Sequence, residues 1–200
     1  LWEAGVESLS HLDPGRRTAQ IVRGTQRLSS RDLAALADEL APVERGVIIC
    51  GVCEGNGDLR SDRLGSAIVR LARRLGWPVL AEPGSRVRFR VADEPGIIES
   101  SDALLRVEGL GAVLAPEKII RFGRSPVSKA CSRWIENQAG GRVIAVERSG
   151  SLLDAECAVE RLYAVEPLDF CERLSTTLEV DRDSTAWLSC WQELAVKAAV

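Results

Sequence analysis

The stretch GVIICGVCEGNGDLRSDRLGSAIVRLARRLGWPVLAEP, residues 46–83, decides the fold. It opens on GVIICG (46–51), a short run without a polar side chain, the pattern of a strand covered on both faces. A glycine-rich turn follows. SDRLGSAIVRLARRLG (61–76) then places Leu64, Ala67, Ile68, Leu71 and Leu75 on one helical stripe, with Gly76 as terminator. WPVLAEP (77–83) reads as a second short strand. Strand, helix and strand at this spacing make a βαβ unit, which implies parallel pairing.

The pattern continues outward in both directions. Upstream, SSRDLAALADELAPVE (29–44) offers Ser29 or Ser30 as cap and Leu33, Ala34, Leu36, Ala37 and Leu40 as a helical face. Downstream come a helix in SSDALLRVEGL (100–110), a strand in KIIRFG (118–123) and a helix over 126–138. Strands in GRVIAVE (141–147) and VERLYAV (159–165) follow, then helices near 167–176 and 184–198. The last carries Trp187, Cys190, Trp191, Leu194, Ala195 and Ala198 on one side. The expected class is α/β: a three-layer, doubly wound parallel sheet, Rossmann-like and of the DHS-like NAD/FAD-binding domain type, with flanking helices. Residues 1–28 show no sustained period and read as a linker, leaving 29–200 as the domain.

Composition narrows the function classes. Of 200 residues 46% are hydrophobic and 28% charged, enough apolar content for a core and too periodic for a disordered chain. The net charge of −3, with dispersed basic residues, gives no nucleic-acid footprint. No apolar run approaches the ~18 residues of a membrane span, and no signal peptide opens the chain. Methionine is absent even at position 1, which points to a processed chain or a piece of a longer one. Six cysteines, several on apolar stripes, behave as small hydrophobes in a core that needs no staples; the expected compartment is the reducing cytoplasm. Cys50 and Cys53 form a CxxC, but no second CxxC follows and His11 is the only histidine, so the pair reads as structural, with a redox pair or half a zinc site as the alternatives.

Ligands of such sheets gather at the carboxyl ends of the strands, and three loops there merit attention. The first spaces Gly51, Gly55 and Gly57 as GxxxGxG, which is neither the dinucleotide fingerprint nor a Walker loop. It reads as a tight turn, with nucleotide binding as the alternative and Glu82 where a ribose-binding carboxylate would stand. The second, EPGSRVRFR (82–90), alternates Arg86, Arg88 and Arg90 with Val87 and Phe89, as an extended segment with an arginine face would. In the third, FGRSPVSK (122–129), Ser125 is expected as N-cap and Pro126 as first helical residue, with Val127, Ala130, Cys131, Trp134 and Ile135 on a buried stripe. Arg124 and Lys129 then sit at the positive end of a helix dipole, where bases cost a few tenths of a kcal/mol. An anionic guest would offset that cost, because helix N-termini already favour carboxylates and phosphates. No nucleophile or general base accompanies these cations, so the chain alone reads as a binding or positioning domain.

RGVIICG, LARRLGWPVLAEPGSRVR, SDALLR, IIRFGRSPVSKACSRW and AWLSCWQELAVKAA occur in the order seen in one family. They resemble the central domain of the 2-succinyl-5-enolpyruvyl-6-hydroxy-3-cyclohexene-1-carboxylate (SEPHCHC) synthases, the MenD family of menaquinone biosynthesis, over residues 29–200. The resemblance implies a thiamine-diphosphate and Mg²⁺ enzyme with an N-terminal pyrimidine-binding and a C-terminal diphosphate-binding domain, both absent from this sequence. It implies a dimer or tetramer whose outer domains hold the cofactor between subunits, while the central domain binds no cofactor and is inactive alone. The family reaction decarboxylates 2-oxoglutarate and adds the succinyl unit to isochorismate. Both are di-acids, and the family lysine that approaches their carboxylates corresponds to Lys129. By the same resemblance Ser128, Arg124, Arg88 and Ser85 are candidate substrate contacts. Ala130 stands where some relatives have a second basic residue. Two alternatives remain: the middle domain of an acetolactate-synthase-like enzyme, which can carry FAD, and a non-enzymatic module that senses a pathway acid.

Overall fold

The computed structural model describes residues 24–52, 59–85, 87–90, 94–138, 142–150, 154 and 157–198. Its strands are β1 (Gly46–Cys50), β2 (Val79–Ala81), β3 (Ile97–Ile98), β4 (Lys118–Phe122), β5 (Val143–Val146) and β6 (Val159–Tyr163). They form one sheet of order β3-β2-β1-β4-β5-β6, parallel throughout. The chain winds from β1 through β2 to β3 on one side and from β4 to β6 on the other. Its topological switch point therefore lies between β1 and β4, as the expected doubly wound class requires.

The helices are α1 (Ser30–Leu40), α2 (Leu59–Leu75), α3 (Val87–Arg90), α4 (Ser101–Arg106), α5 (Leu110–Val113), α6 (Lys129–Glu136), α7 (Pro167–Thr177) and α8 (Ala186–Ala198). Strand alternation sorts them into two layers. Ile48, Cys50, Ile120, Phe122, Ile144 and Val146 face α1, α2 and α7, whose Leu36, Leu40, Ile68, Leu71, Leu75, Cys171 and Leu174 close one core. Val47, Ile49, Ile119 and Val143 face α4, α6 and α8, which contribute Leu104, Cys131, Trp134, Ile135 and Trp191 to the other. All five residues of β1 are buried, which is why this strand reads as a continuous apolar run. Each buried Leu or Ile is worth about 1.5–3 kcal/mol, so the two covered faces carry the fold.

Gly76 ends α2 as expected, at φ 69°. Its N–H donates to the Arg73 carbonyl and that of Trp77 to the Ala72 carbonyl, a Schellman motif. The start of α8 hangs on this turn, since Thr185 Oγ1 donates to the Gly76 carbonyl (2.9 Å) and accepts from Leu188 N–H. Trp187 Nε1 donates to the Gly46 carbonyl (2.8 Å), and Gln192 to that of Pro95. Trp191 meets Trp134 and Trp187 edge-on at 6.1 and 5.9 Å. Leu188 is buried on this helix, whereas Ala198, placed on the buried side from the sequence, is exposed. At the other end of the domain, Gln26, Arg27 and Leu28 bond to Glu166, Asp169 and Arg173 around α7.

Of the two serines expected as cap of α1, Ser29 takes the role, accepting from Asp32 N–H. Several other local expectations are corrected. Ala34, placed on the helical face, is exposed. Residues 77–83 shrink to a three-residue strand, because Trp77 belongs to the α2 terminus and Pro83 opens a 3₁₀ turn. The helix in 100–110 stops at Arg106, and Gly109 at φ 78° starts α5. Residues 87–90 are helical rather than extended. Arg86, Cys53, Gly55, Gly57, His11 and residues 1–23 lie outside the described part.

Helix α6 also begins later than its sequence signals. Ser128, not Ser125, is the N-cap, accepting from Cys131 N–H at 3.1 Å. Ser125 Oγ instead accepts from Arg121, and Pro126 biases the residue before it toward extended backbone. Val127 therefore precedes the helix and is 79% exposed, while Cys131, Trp134 and Ile135 form the buried stripe.

Candidate functional site: the carboxyl rim of the sheet

The rim is built where β1, β2 and β4 end. Past the strands the ladder continues: Gly51 N–H donates to the Phe122 carbonyl (2.9 Å) and Arg124 N–H to that of Val52 (3.0 Å). A Cβ on Gly51 would overlap the Arg124 carbonyl oxygen, so this glycine admits a close backbone approach. The crevice in which doubly wound sheets hold dinucleotides is thus crossed by the chain's own β4–α6 loop.

Glu82 reinforces that crossing. Its backbone N–H donates to the Cys50 carbonyl, and its Oε2 accepts from Val127 N–H at 2.9 Å. The carboxylate at the ribose position of a dinucleotide site is here bonded to the segment leading into α6. On the far side of the loop, Ser128 Oγ donates to Asp102 Oδ1 (2.5 Å), whose other oxygen accepts from Arg106 Nε (2.7 Å). The Arg106 hydrogen bond first, then that of Ser128, holds the Asp102 carboxyl below its usual range. Two acids of the domain thus attend the positive end of α6, a compensation the local sequence does not reveal.

The candidate residues divide accordingly. Lys129 is the first residue of α6 and exposed; among the described residues its side chain has no ion pair or hydrogen bond. Arg124 is exposed on the same loop. Ser128 lies between them, its hydroxyl engaged as cap and as donor to Asp102. Ser85 is buried, and its hydroxyl donates to the Glu82 carbonyl at 2.6 Å. Arg88 pairs with Glu99 at 3.1 Å. Arg124, Ser128 and Lys129 lie on the one segment that leads from β4 into α6, whereas Ser85 and Arg88 are bonded on the β2 side.

Sequence reading missed Arg121. It lies buried on β4, donating to Ser125 Oγ (3.1 Å) and Asp154 Oδ1 (3.3 Å), while Asp154 Oδ2 accepts from Val159 N–H. An arginine inside KIIRF, on the face shared with Ile119, was the available signal. Two open clefts lie away from the rim. One of about 630 Å³ is lined by Arg70, Arg73, Arg74 and Glu172; another of about 490 Å³ is lined by Arg45, Arg182 and Trp187. Arg74 bonds Asp181 and the Leu178 carbonyl, Arg45 bonds the Val113 carbonyl and covers Trp187, and Arg182 bonds the Ala41 and Val43 carbonyls. These arginines hold the fold together.

No cluster of three His, Cys, Asp or Glu among the described residues could hold a metal ion. No helix among them is long and apolar enough to cross a membrane.

A doubly wound parallel sheet with Arg124 and Lys129 exposed at its carboxyl rim, and the β4–α6 loop bonded across the end of β1, defines a Rossmann-like domain. The chain belongs to the family described as "Middle domain of thiamine pyrophosphate", whose model matches residues 26–199. It is 33% identical over 180 residues to a SEPHCHC synthase of Geobacillus thermodenitrificans, covering 88% of this chain and 29% of that protein. A SEPHCHC synthase of Bacillus cytotoxicus is 30% identical, with 97% and 31% covered. Among solved structures, a protein described as a thiamin diphosphate-dependent enzyme from Mycobacterium smegmatis superposes with TM-score 0.51 at 15% identity, covering 84% of this chain and 31% of that one. That likeness concerns the fold. The chain spans about 30% of the length of the curated relatives it matches.

Proposed function

We propose that this chain is the middle domain of a SEPHCHC synthase, acting in the cytoplasm with pyrimidine- and diphosphate-binding domains of the same polypeptide and with a second subunit. The assembly, a dimer or tetramer, decarboxylates 2-oxoglutarate and joins the succinyl unit to isochorismate. Thiamine diphosphate and Mg²⁺ supply the carbanion chemistry from the outer domains. The middle domain contributes a basic rim that binds and orients a di-acid. Arg124 and Lys129 are its principal contacts, with Ser128, Ser85 and Arg88 supporting the rim.

The observation that carries this reading is Lys129: exposed, at the first position of α6, with no acidic partner among the described residues. A cation so placed offers its N–H donors to a carboxylate, a charge-assisted bond worth about 1.5–3 kcal/mol. In the full-length synthase, Lys129→Ala raises KM for a di-acid substrate about 10- to 100-fold while thiamine diphosphate affinity holds. An unchanged KM with lost cofactor binding refutes the reading. Micromolar binding of thiamine diphosphate or NAD to the middle domain in calorimetry would also refute it.

A further inference from the structure

We infer that Glu82, together with Asp102, is a positioning residue for the basic rim, holding the β4–α6 loop in place without touching the guest. This rests on the function proposed above. Glu82 stands at the end of β2, and β1 separates that strand from β4. Its Oε2 nevertheless accepts the Val127 N–H, two residues before Lys129 and 45 residues away in sequence. Its own backbone is fixed by the bond to the Cys50 carbonyl and by the turn in which Ser85 N–H and Oγ both bond the Glu82 carbonyl. The backbone that carries the acceptor is thus tied to the sheet on both sides of the residue.

Three further ties converge on the same segment. Arg124 N–H bonds the Val52 carbonyl, Ser132 Oγ bonds that of Pro126, and Ser128 bonds Asp102. The segment is thus anchored to β1, β2, α4 and the body of α6. An exposed cation on so constrained a backbone loses little freedom when a ligand arrives, which is how preorganisation raises affinity. Val127 is 79% exposed yet its N–H is bonded, so this residue is held by its backbone and not by burial of its side chain.

The sign of the effect separates positioning from electrostatics. A carboxylate beside a site for a dianion repels the guest, so if Glu82 acted by charge alone, removing it would lower KM. A positioning role predicts the opposite. In the full-length synthase, Glu82→Ala raises KM for the di-acid about 10-fold, with kcat within about 2-fold and thiamine diphosphate affinity unchanged. Glu82→Gln keeps an acceptor for Val127 N–H and stays within about 3-fold of the parent KM. Hydrogen exchange reads the tie directly: Glu82→Ala speeds exchange of the Val127 amide, and Glu82→Gln does not.

A Glu82→Ala enzyme with lowered or unchanged KM, or with unchanged Val127 exchange, overturns the inference, as does Glu82→Gln behaving like Glu82→Ala. Lys129→Ala is the control. If it leaves KM unchanged, the proposed guest site fails; if it raises KM while Glu82→Ala does not, only the positioning role fails.

Discussion

Gly51→Ala tests the architecture of the rim at its root. The new Cβ would fall more than about 1 Å inside an ordinary carbon–oxygen separation from the Arg124 carbonyl. That neighbour is backbone and has no flexible end to swing away. The Arg124 carbon lies 3.1 Å from the same Cβ, so rotating the peptide gives little relief. The loop must retreat, and two hydrogen bonds then stretch: Gly51 to Phe122 at 2.9 Å and Arg124 to Val52 at 3.0 Å. Each contributes about 1 kcal/mol, and forced displacement in a packed region adds about 1–3 kcal/mol. The expected loss is about 3–5 kcal/mol by urea denaturation. Activity registers the same shift, because a displacement near 1 Å in positioning groups costs up to about 100-fold in kcat/KM. A Gly51→Ala synthase within 0.5 kcal/mol of the parent in stability (about the scatter of surface substitutions), with unchanged kcat/KM, would refute the closed-crevice account.

Three other changes probe neighbouring contacts. Ser128→Ala removes the α6 cap and lowers stability by about 1 kcal/mol, seen as a lower Tm; Ser128→Asp keeps a capping oxygen but faces Asp102, so it restores less than a cap alone would. Asp102 has a folded-state pKa below its ordinary value, so its contribution to stability is present above about pH 4 and lost as pH falls through the depressed pKa. Asp102→Asn accordingly flattens the acid limb of the stability profile; the pair with Arg106 is exposed, so the effect is small and shrinks in salt. Arg121→Met leaves Asp154 buried without its guanidinium and costs about 3–5 kcal/mol by denaturant titration, a loss that an Arg121→Lys variant only partly shares.

Most of the sheet was legible because β1, β4 and β5 are short and buried on both faces, which writes apolar runs directly into the chain. Strand β3 escaped notice since two isoleucines carry no period. The start of α6 was misplaced because Ser125 and Ser128 are equally good caps locally. Arg121 claims one hydroxyl and Asp102 the other, and both partners are tertiary. The cations of the rim could be named from their mismatch with the helix dipole. The acids that hold the loop carrying them could not, because Glu82 meets the Val127 backbone from across β1. Arg88 looked available only because Glu99 lies beyond the motif that drew attention to it.

Helix α8 also bears on how the polypeptide is made. It supplies Trp191 to one of the two cores and is tied back to β1 and to the end of α2 by Trp187 and Thr185. During translation the part of this face that α8 covers therefore stays open until the ribosome has released these residues, long after β1 has emerged. A nascent chain in that state exposes Trp134 and the adjoining valines and isoleucines, surface that chaperones bind and that aggregates if left uncovered.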